Sequence, residues 1–433
     1  MGQDYYIYVG RDKKQYFSLP EGWVPLHFVE SEEGTFIPPI QQMIIEALSK
    51  PTGTPPFQDL LSRAHKIAII VDDSTRPTPA AEILKILLSQ LSDSGFSRDH
   101  ITIVMAIGTH ETMEREALET KLGKSVATTY KVVQHNAWQS DLVPIQIPGD
   151  EKVVKINPEV AQADLRLGIS SILPHPMAGY GGGPKIIMPG VCNFEYIRDH
   201  HIKHVIHPRS VTGVIKGNPF HESCMRAARA IGLDFSINCV YNQKGEVIRI
   251  IGGSLEMAFE EAVKVCSEKL GYKFEEKVDV TITSTYPHTH GHQLFKGLNT
   301  PDIITKNGGA ILLVAPVIGP IVAEFLNSII EVRQKSNNNP AAYIKEALSK
   351  GMAFLPDKPM DFNMAMSNVF LRPEIRTILV SPFISKEEAR TMSLEYASSI
   401  AEGLSLLKKS YSNARVAIFP SGGLIVPITA WEQ

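Results

Sequence analysis

The residues with the most chemical potential in this chain are histidines, one lysine and one arginine, set beside turns rich in proline and glycine. Nine of the fourteen histidines fall between His175 and His292. His175 and Lys185 flank a glycine-dense stretch, PHPMAGYGGGPK. Glycines packed so closely usually serve a backbone that must approach something closely, and exposed N–H groups at Gly182 and Gly183 could cradle a phosphate. The P-loop pattern is absent, because Pro184 precedes the lysine and Ile186 follows it. A dinucleotide fingerprint does not fit either. On a helix, His201 and His204 of DHHIKHVIHP would share a face. Imidazoles without nearby thiolate suit nickel, zinc, copper or iron, so residue type alone leaves the metal open.

Two shorter segments add donors. In DDSTRPTP, Asp73 could orient Arg76, whose planar fork would then grip a carboxylate or phosphate. The same segment reads equally as a helix start, with Asp, Ser74 or Thr75 as cap. In GTH, His110 follows a strand at what should be the same sheet edge. Further on, HTHGHQLFK offers two readings: a metal motif through His288, His290 and His292, or Gln293 and Lys296 presenting a donor and a cation on one helical face.

The elements that must position these residues are legible as alternating β-branched runs and longer amphipathic stretches, the pattern of an α/β protein with largely parallel sheets. IAIIV (67–71) and ITIVMA (101–106) read as buried strands, each followed by polar residues and then a helix. Open α/β sheets place ligands at that carboxyl edge. A third strand is expected near 165–170, and VDVTIT (278–283) opens a second series after a polar pause. The expected organisation is two α/β domains, residues 1–272 and 273–433, with the active site in the cleft between them. A net charge of −3 gives no reason to expect nucleic acid or an anionic membrane as partner. Apolar runs such as 309–318 are too short to span a bilayer. The N-terminus has no signal-peptide pattern, and cysteines at 192, 224, 239 and 266 form no CxxC pair. A reducing cytoplasm is therefore expected.

In order and spacing these segments resemble the lactate racemase family of nickel-pincer-nucleotide enzymes. The resemblance runs through DDSTRP, GTH, the PHPMAGYGGGPK loop, a histidine sixteen residues after its lysine, and QLFK. It implies that Lys185 is covalently attached to a pyridinium mononucleotide carrying two sulfur arms, made by dedicated cofactor-synthesis enzymes. It implies His201 as the protein ligand to nickel, with His200 and His204 close enough in sequence to be mistaken for it. By the same resemblance His110 and His175 are two general acid/bases, and Arg76 and Lys296 contact the substrate with Asp73 and Gln293 in support. Asp73, Ser74, Thr75, Gly182 and Gly183 fall on the cofactor side. The implied reaction inverts C2 of a small 2-hydroxy acid by reversible hydride transfer through a 2-keto acid. Lactate-using members carry a tyrosine where this chain has His292, and a tryptophan in a region where residues 350–370 here have none. The expected substrate is therefore malate, an aromatic or branched 2-hydroxy acid, or a sugar acid such as gluconate. The alternatives are lactate itself and, in another class, a zinc-dependent hydrolase or lyase built on the HTHGH cluster.

Overall fold

A computed structural model describes residues 4–10, 12–29, 36–62, 64–288, 291–316 and 318–431. The chain divides into two compact units. A central unit comprises Thr35–Asn242 and Glu246–Lys269, and a terminal unit comprises Met1–Gly34, Gln243–Gly245 and Leu270–Gln433.

The central unit is built on a six-stranded sheet: β1 (Ile67–Val71), β2 (Ile101–Met105), β3 (Lys131–Gln134), β4 (Leu165–Ile172), β5 (Phe235–Tyr241) and β6 (Val247–Gly253). Their spatial order is β6-β5-β4-β1-β2-β3, and all neighbours are parallel except β5 and β6. Every residue of β1 and β2 is buried. That is why these strands read as continuous apolar runs rather than alternating ones: a parallel sheet is covered on both faces. From β1 the chain winds outward through β2 and β3, then returns to add β4 and β5 on the other side. The strand order reverses between β1 and β4, and loops diverge from such a point to leave a crevice. Helix α1 (Ala80–Asp93) follows β1 and helix α2 (Arg115–Leu122) follows β2.

The terminal unit has its own six-stranded, wholly parallel sheet. Its order is Glu395–Ala397, Arg376–Val380, Thr305–Val314, Val278–Ser284, Ala414–Phe419 and Trp23–Phe28. Val280, Ile282, Leu312, Ile378, Val416 and Ile418 form its buried core. Here the structure departs from an organisation cut once near 272. The chain does re-enter the terminal unit at Leu270, but the first 34 residues belong there too. Trp23–Phe28 pairs with Ala414–Phe419, and a pairing across nearly the whole chain leaves no local signature. Among the described residues no helix is long and apolar enough to cross a membrane, and the four cysteines are buried thiols.

The crevice of the central unit is held shut at its base by Asp72, the first residue after β1. Its Oδ2 accepts from Ser171 N on β4 at 3.0 Å and from Thr78 Oγ1 at 2.5 Å. Its Oδ1 lies 2.8 Å from Lys121 Nζ, which comes from α2 and also donates to the Arg76 carbonyl at 2.9 Å. Lys121 is 8% exposed, so Lys121→Met would leave the partly buried Asp72 carboxylate without its cation. Such losses cost about 3 kcal/mol or more. Urea unfolding of this variant should show a drop of that size; a change within about 0.5 kcal/mol, as for an ordinary surface site, would mean the pair does not brace the loop.

Candidate active site

Three loops leave the carboxyl edge of β1, β2 and β4, and each carries residues singled out by the sequence. After β1, Asp73 is buried and its Oδ2 lies 2.7 Å from His110 Nδ1, which arrives on the loop after β2. The other oxygen, Oδ1, accepts from Thr75 N at 2.9 Å and Thr75 Oγ1 at 2.5 Å. Burial alone would raise the Asp73 carboxyl. The charge and hydrogen bond of His110, with Arg76 and Thr75, more than offset it and hold Asp73 well below the usual carboxylate range. Two expectations are corrected here. Asp73 does not grip Arg76 directly; the guanidinium Nη1 instead donates to Thr75 Oγ1 at 2.8 Å. No side chain of this segment caps α1, whose N-cap is Pro79, because Asp73 and Thr75 are already engaged with each other. Ser74 is exposed and, with Arg76, borders a cavity of about 630 Å³ also lined by Thr78, Glu82, Glu114 and Lys121.

After β4 comes the glycine loop. His175 and Pro174 pair with Gly179 and Tyr180 in a two-residue ladder, and the chain then enters the short turn Gly183–Ile186 that carries Lys185. Of the two glycines expected to cradle a phosphate, Gly183 has its N–H engaged within the protein. Both have positive φ, and a Cβ at either would overlap the protein itself: the Ser171 carbonyl at Gly182 and the Phe259 ring at Gly183. The N–H of Gly183 is donated to Ser170 Oγ at 3.0 Å and that of Gly181 to the Leu173 carbonyl at 2.7 Å. These glycines are required chiefly because the loop folds back on β4 and against Phe259.

What brings Lys185 to the histidines is a residue that sequence reading did not single out. Phe220, fully buried in helix α4 (Pro219–Ile231), presents its ring to all of them. The Lys185 amine sits 4.9 Å from its centroid, and the rings of His175, His200 and His201 lie at 6.2, 4.4 and 4.9 Å. His200 and His201 come from helix α3 (Phe194–His204). Asn218 fixes the arrangement. Its Oδ1 caps α4 at Phe220 N and His221 N, while its Nδ2 donates to the carbonyls of Met177 and Val214 at 2.8 Å each. The Asn-Pro pair at 218–219 is a readable helix start; that it also anchors the glycine-loop backbone is not readable.

The three α3 histidines are not equivalent. His201 Nδ1 lies 2.8 Å from the Ile197 carbonyl, so Nδ1 carries the proton and Nε2 keeps its lone pair. His200 spends Nε2 on the Phe220 carbonyl at 3.3 Å and buries Nδ1 without a partner. His204 is only half-buried. Burial, partly opposed by the Cys224 thiol and aided by Arg76, lowers the Lys185 amine to about 8. Of the second series, Gln293 is buried and Lys296 half-buried on Gly291–Leu298 of the terminal unit. Thr289, His290 and the side chain of His292 lie outside the described residues, and with them the HTHGH reading.

Burial also lowers His135 and His221 to about 4. An unfolded chain binds those protons near pH 6.5, so unfolding between pH 6.5 and 4 takes them up. Stability is therefore full above that window and falls as the pH drops through it, by roughly 1.4 kcal/mol per pH unit for each proton. In His221→Phe, which keeps the stack on Phe259, the loss of urea resistance from pH 7 to pH 5 should be shallower than in the parent. Parallel pH curves would show that His221 is not held neutral.

Residues 11–213 match the lactate racemase N-terminal domain. The lactate racemase of Lactiplantibacillus plantarum is 27% identical over 409 residues, covering 89% of this chain and 91% of that protein. The lactate racemase of Thermoanaerobacterium thermosaccharolyticum is 26% identical over 394 residues, covering 89% and 90%. The solved lactate racemase apoprotein from that organism shares the fold with a TM-score of 0.85 at 24% identity, over 98% of this chain and 100% of that one. A Thermotoga maritima protein of solved structure gives 0.67 at 21% identity, over 90% and 98%. The chain thus carries a lactate racemase N-terminal domain over residues 11–213 and is similar to two lactate racemases along 89% of its length, a likeness that makes it an isomerase.

Proposed function

We propose that this protein carries a nickel-pincer nucleotide on Lys185 and uses it to invert C2 of a 2-hydroxy acid other than lactate. The observation that supports the reading most is the gathering of Lys185, His175 and His201 around the Phe220 ring. The residues present fit the group. A buried amine lowered to about 8 is in good part neutral near pH 8 and nucleophilic. His201, with Nδ1–H given to a backbone carbonyl, presents Nε2 as metal-ligating histidines do. His200 has its Nε2 turned to the Phe220 carbonyl, which favours His201 as the ligand. When bound, the group supplies a reversible hydride acceptor, so that a 2-hydroxy acid and its planar 2-keto acid interconvert.

The chain's own residues supply the rest. Removing the Cα proton of a hydroxy acid would build negative charge beside a carboxylate, whereas hydride removal needs only that the hydroxyl proton be handled. His110 and His175 are assigned to the hydroxyl proton, as imidazoles titrate near ambient pH. Arg76 and Lys296 take the carboxylate, with Gln293 and His292 in support. They keep the keto acid from escaping while its other face is presented. Asp73 orients His110, and Ser74 and Thr75 at the mouth of the β1 loop are assigned to the phosphate. His292 in place of tyrosine, and no tryptophan in 350–370, favour malate, an aromatic or branched acid, or gluconate as substrate.

Protein co-produced with the cofactor-synthesis enzymes should show a covalent adduct on the peptide containing Lys185 and stoichiometric nickel. Lys185→Ala should lose both, and His201→Ala should keep the adduct while losing nickel. An unmodified chain despite available cofactor would overturn the reading. In a panel of 2-hydroxy acids, lactate should not give the highest kcat/KM; if it does, the substrate assignment fails and the chain acts as a lactate racemase.

A further inference from the structure

Arg76 stands in a loop that is closed on itself. Asp72 opens the loop after β1, and Thr78 Oγ1 donates back to Asp72 Oδ2 at 2.5 Å. Between them the Arg76 carbonyl accepts from Lys121 Nζ at 2.9 Å, and Arg76 N donates to the Asp73 carbonyl at 3.2 Å. The guanidinium gives Nη1 to Thr75 Oγ1, which itself donates to Asp73 Oδ1. That leaves the Nε and Nη2 edge of the fork, which can take a carboxylate through two parallel bonds. Burial is the main cause of the lowered Lys185 amine and the Arg76 charge adds to it, so the two cations sit within reach of each other's field.

Behind Thr78 runs a row of buried hydroxyls whose direction follows from proton counting. Each hydroxyl has one proton to give. Thr78 gives its proton to the carboxylate, so in its 2.5 Å contact with Ser171 Oγ it accepts. Ser171 therefore donates to Thr78 and accepts, at 2.7 Å, from Tyr241 Oη. The order is Tyr241 on β5, Ser171 on β4, Thr78 and then Asp72, each link polarising the next. All three hydroxyl residues are buried. The same end of β4 serves the lysine loop, because Ser170 Oγ accepts from Gly183 N at 3.0 Å. Neighbouring strand residues face opposite ways, so Ser170 fastens the loop of Lys185 while Ser171 fastens the loop of Arg76.

We propose that Thr78 is a positioning residue for Arg76, and that the hydroxyl row from Tyr241 fastens the Arg76 loop so that its guanidinium is held in place for the substrate's carboxylate. The identity of what Arg76 grips rests on the proposed function; the fastening of Arg76 does not. Thr78 acts through Arg76 rather than on the substrate. A carboxylate is gripped alike before and during the reaction, so loosening Arg76 raises KM and spares kcat. The direction of the row adds a ranking. Losing the Tyr241 hydroxyl only removes a donor from Ser171, whereas losing the Thr78 hydroxyl takes a bond from a carboxylate and strands the Ser171 proton.

The test compares Thr78→Val, which keeps the shape and loses the hydroxyl, with Thr78→Ser, which keeps the hydroxyl. In cofactor-loaded protein, with the 2-hydroxy acid it inverts best, Thr78→Val should raise KM about tenfold, the scale of roughly one hydrogen bond. Its kcat and the adduct on Lys185 should stay at the parent level, and Thr78→Ser should restore most of the KM. Tyr241→Phe should fall between the parent and Thr78→Val, and it keeps the test open if Thr78→Val fails to fold. An unchanged KM in Thr78→Val, an equal rise in Val and Ser, a loss confined to kcat, or a larger effect at Tyr241 than at Thr78 would each overturn the proposal. A second readout needs no reaction. In the full chain with 15N-arginine, the Arg76 Nε–H resonance, assigned with Arg76→Lys, should be sharp in the parent and in Thr78→Ser but broadened or shifted in Thr78→Val. The same resonance in all three would overturn the fastening whatever the protein catalyses. The expected resonances in a loaded protein that inverts no hydroxy acid would uphold the fastening and sink the proposed reaction.

Discussion

Two adjacent carboxylates at the end of one buried strand set the geometry of the central unit. Neighbouring residues leaving an extended chain face opposite ways, and Asp72 and Asp73 use this fully. Asp72 reaches back to Ser171 on β4 and to Lys121 on α2. Asp73 reaches forward to His110 beyond β2. Both leave the strand that borders the place where strand order reverses. An unpaired charge buried there would be costly, so each carboxylate dictates the position of its partner's whole loop.

A second hub is apolar. Phe220 gathers a lysine and three histidines around one ring, and a cation over an aromatic face is favourable where a bare ammonium in an apolar pocket is not. The same ring keeps water from the amine, and burial is the main reason its affinity for a proton falls. Helix α4 could not present Phe220 reliably without Asn218. That side chain satisfies two helix N–H groups and two loop carbonyls at once. Packing, desolvation and capping thus converge on one short segment, GNPFH, that carries no obvious chemistry of its own.

The sequence by itself determined the strand and helix alternation, because burial on both faces of a parallel sheet writes itself as unbroken apolar runs. The strand at Ile67–Val71 matches the run read from the sequence residue for residue, and those read at 101–106 and 278–283 differ by one residue at their ends. It also brought His110, His175, Lys185 and His201 forward as the groups to watch, through residue type and through spacing shared with a family. Tertiary structure decided what those groups touch. Asp73 finds His110 across 37 residues rather than Arg76 across three, since the path of the chain, not sequence proximity, sets which charges meet. A side chain at Gly182 or Gly183 would collide with Ser171 or Phe259, and Trp23–Phe28 crosses to a strand near the other end of the chain. Periodicity is a local property and survives in the sequence; contacts between distant loops, and the protons they fix, exist only once the chain has folded.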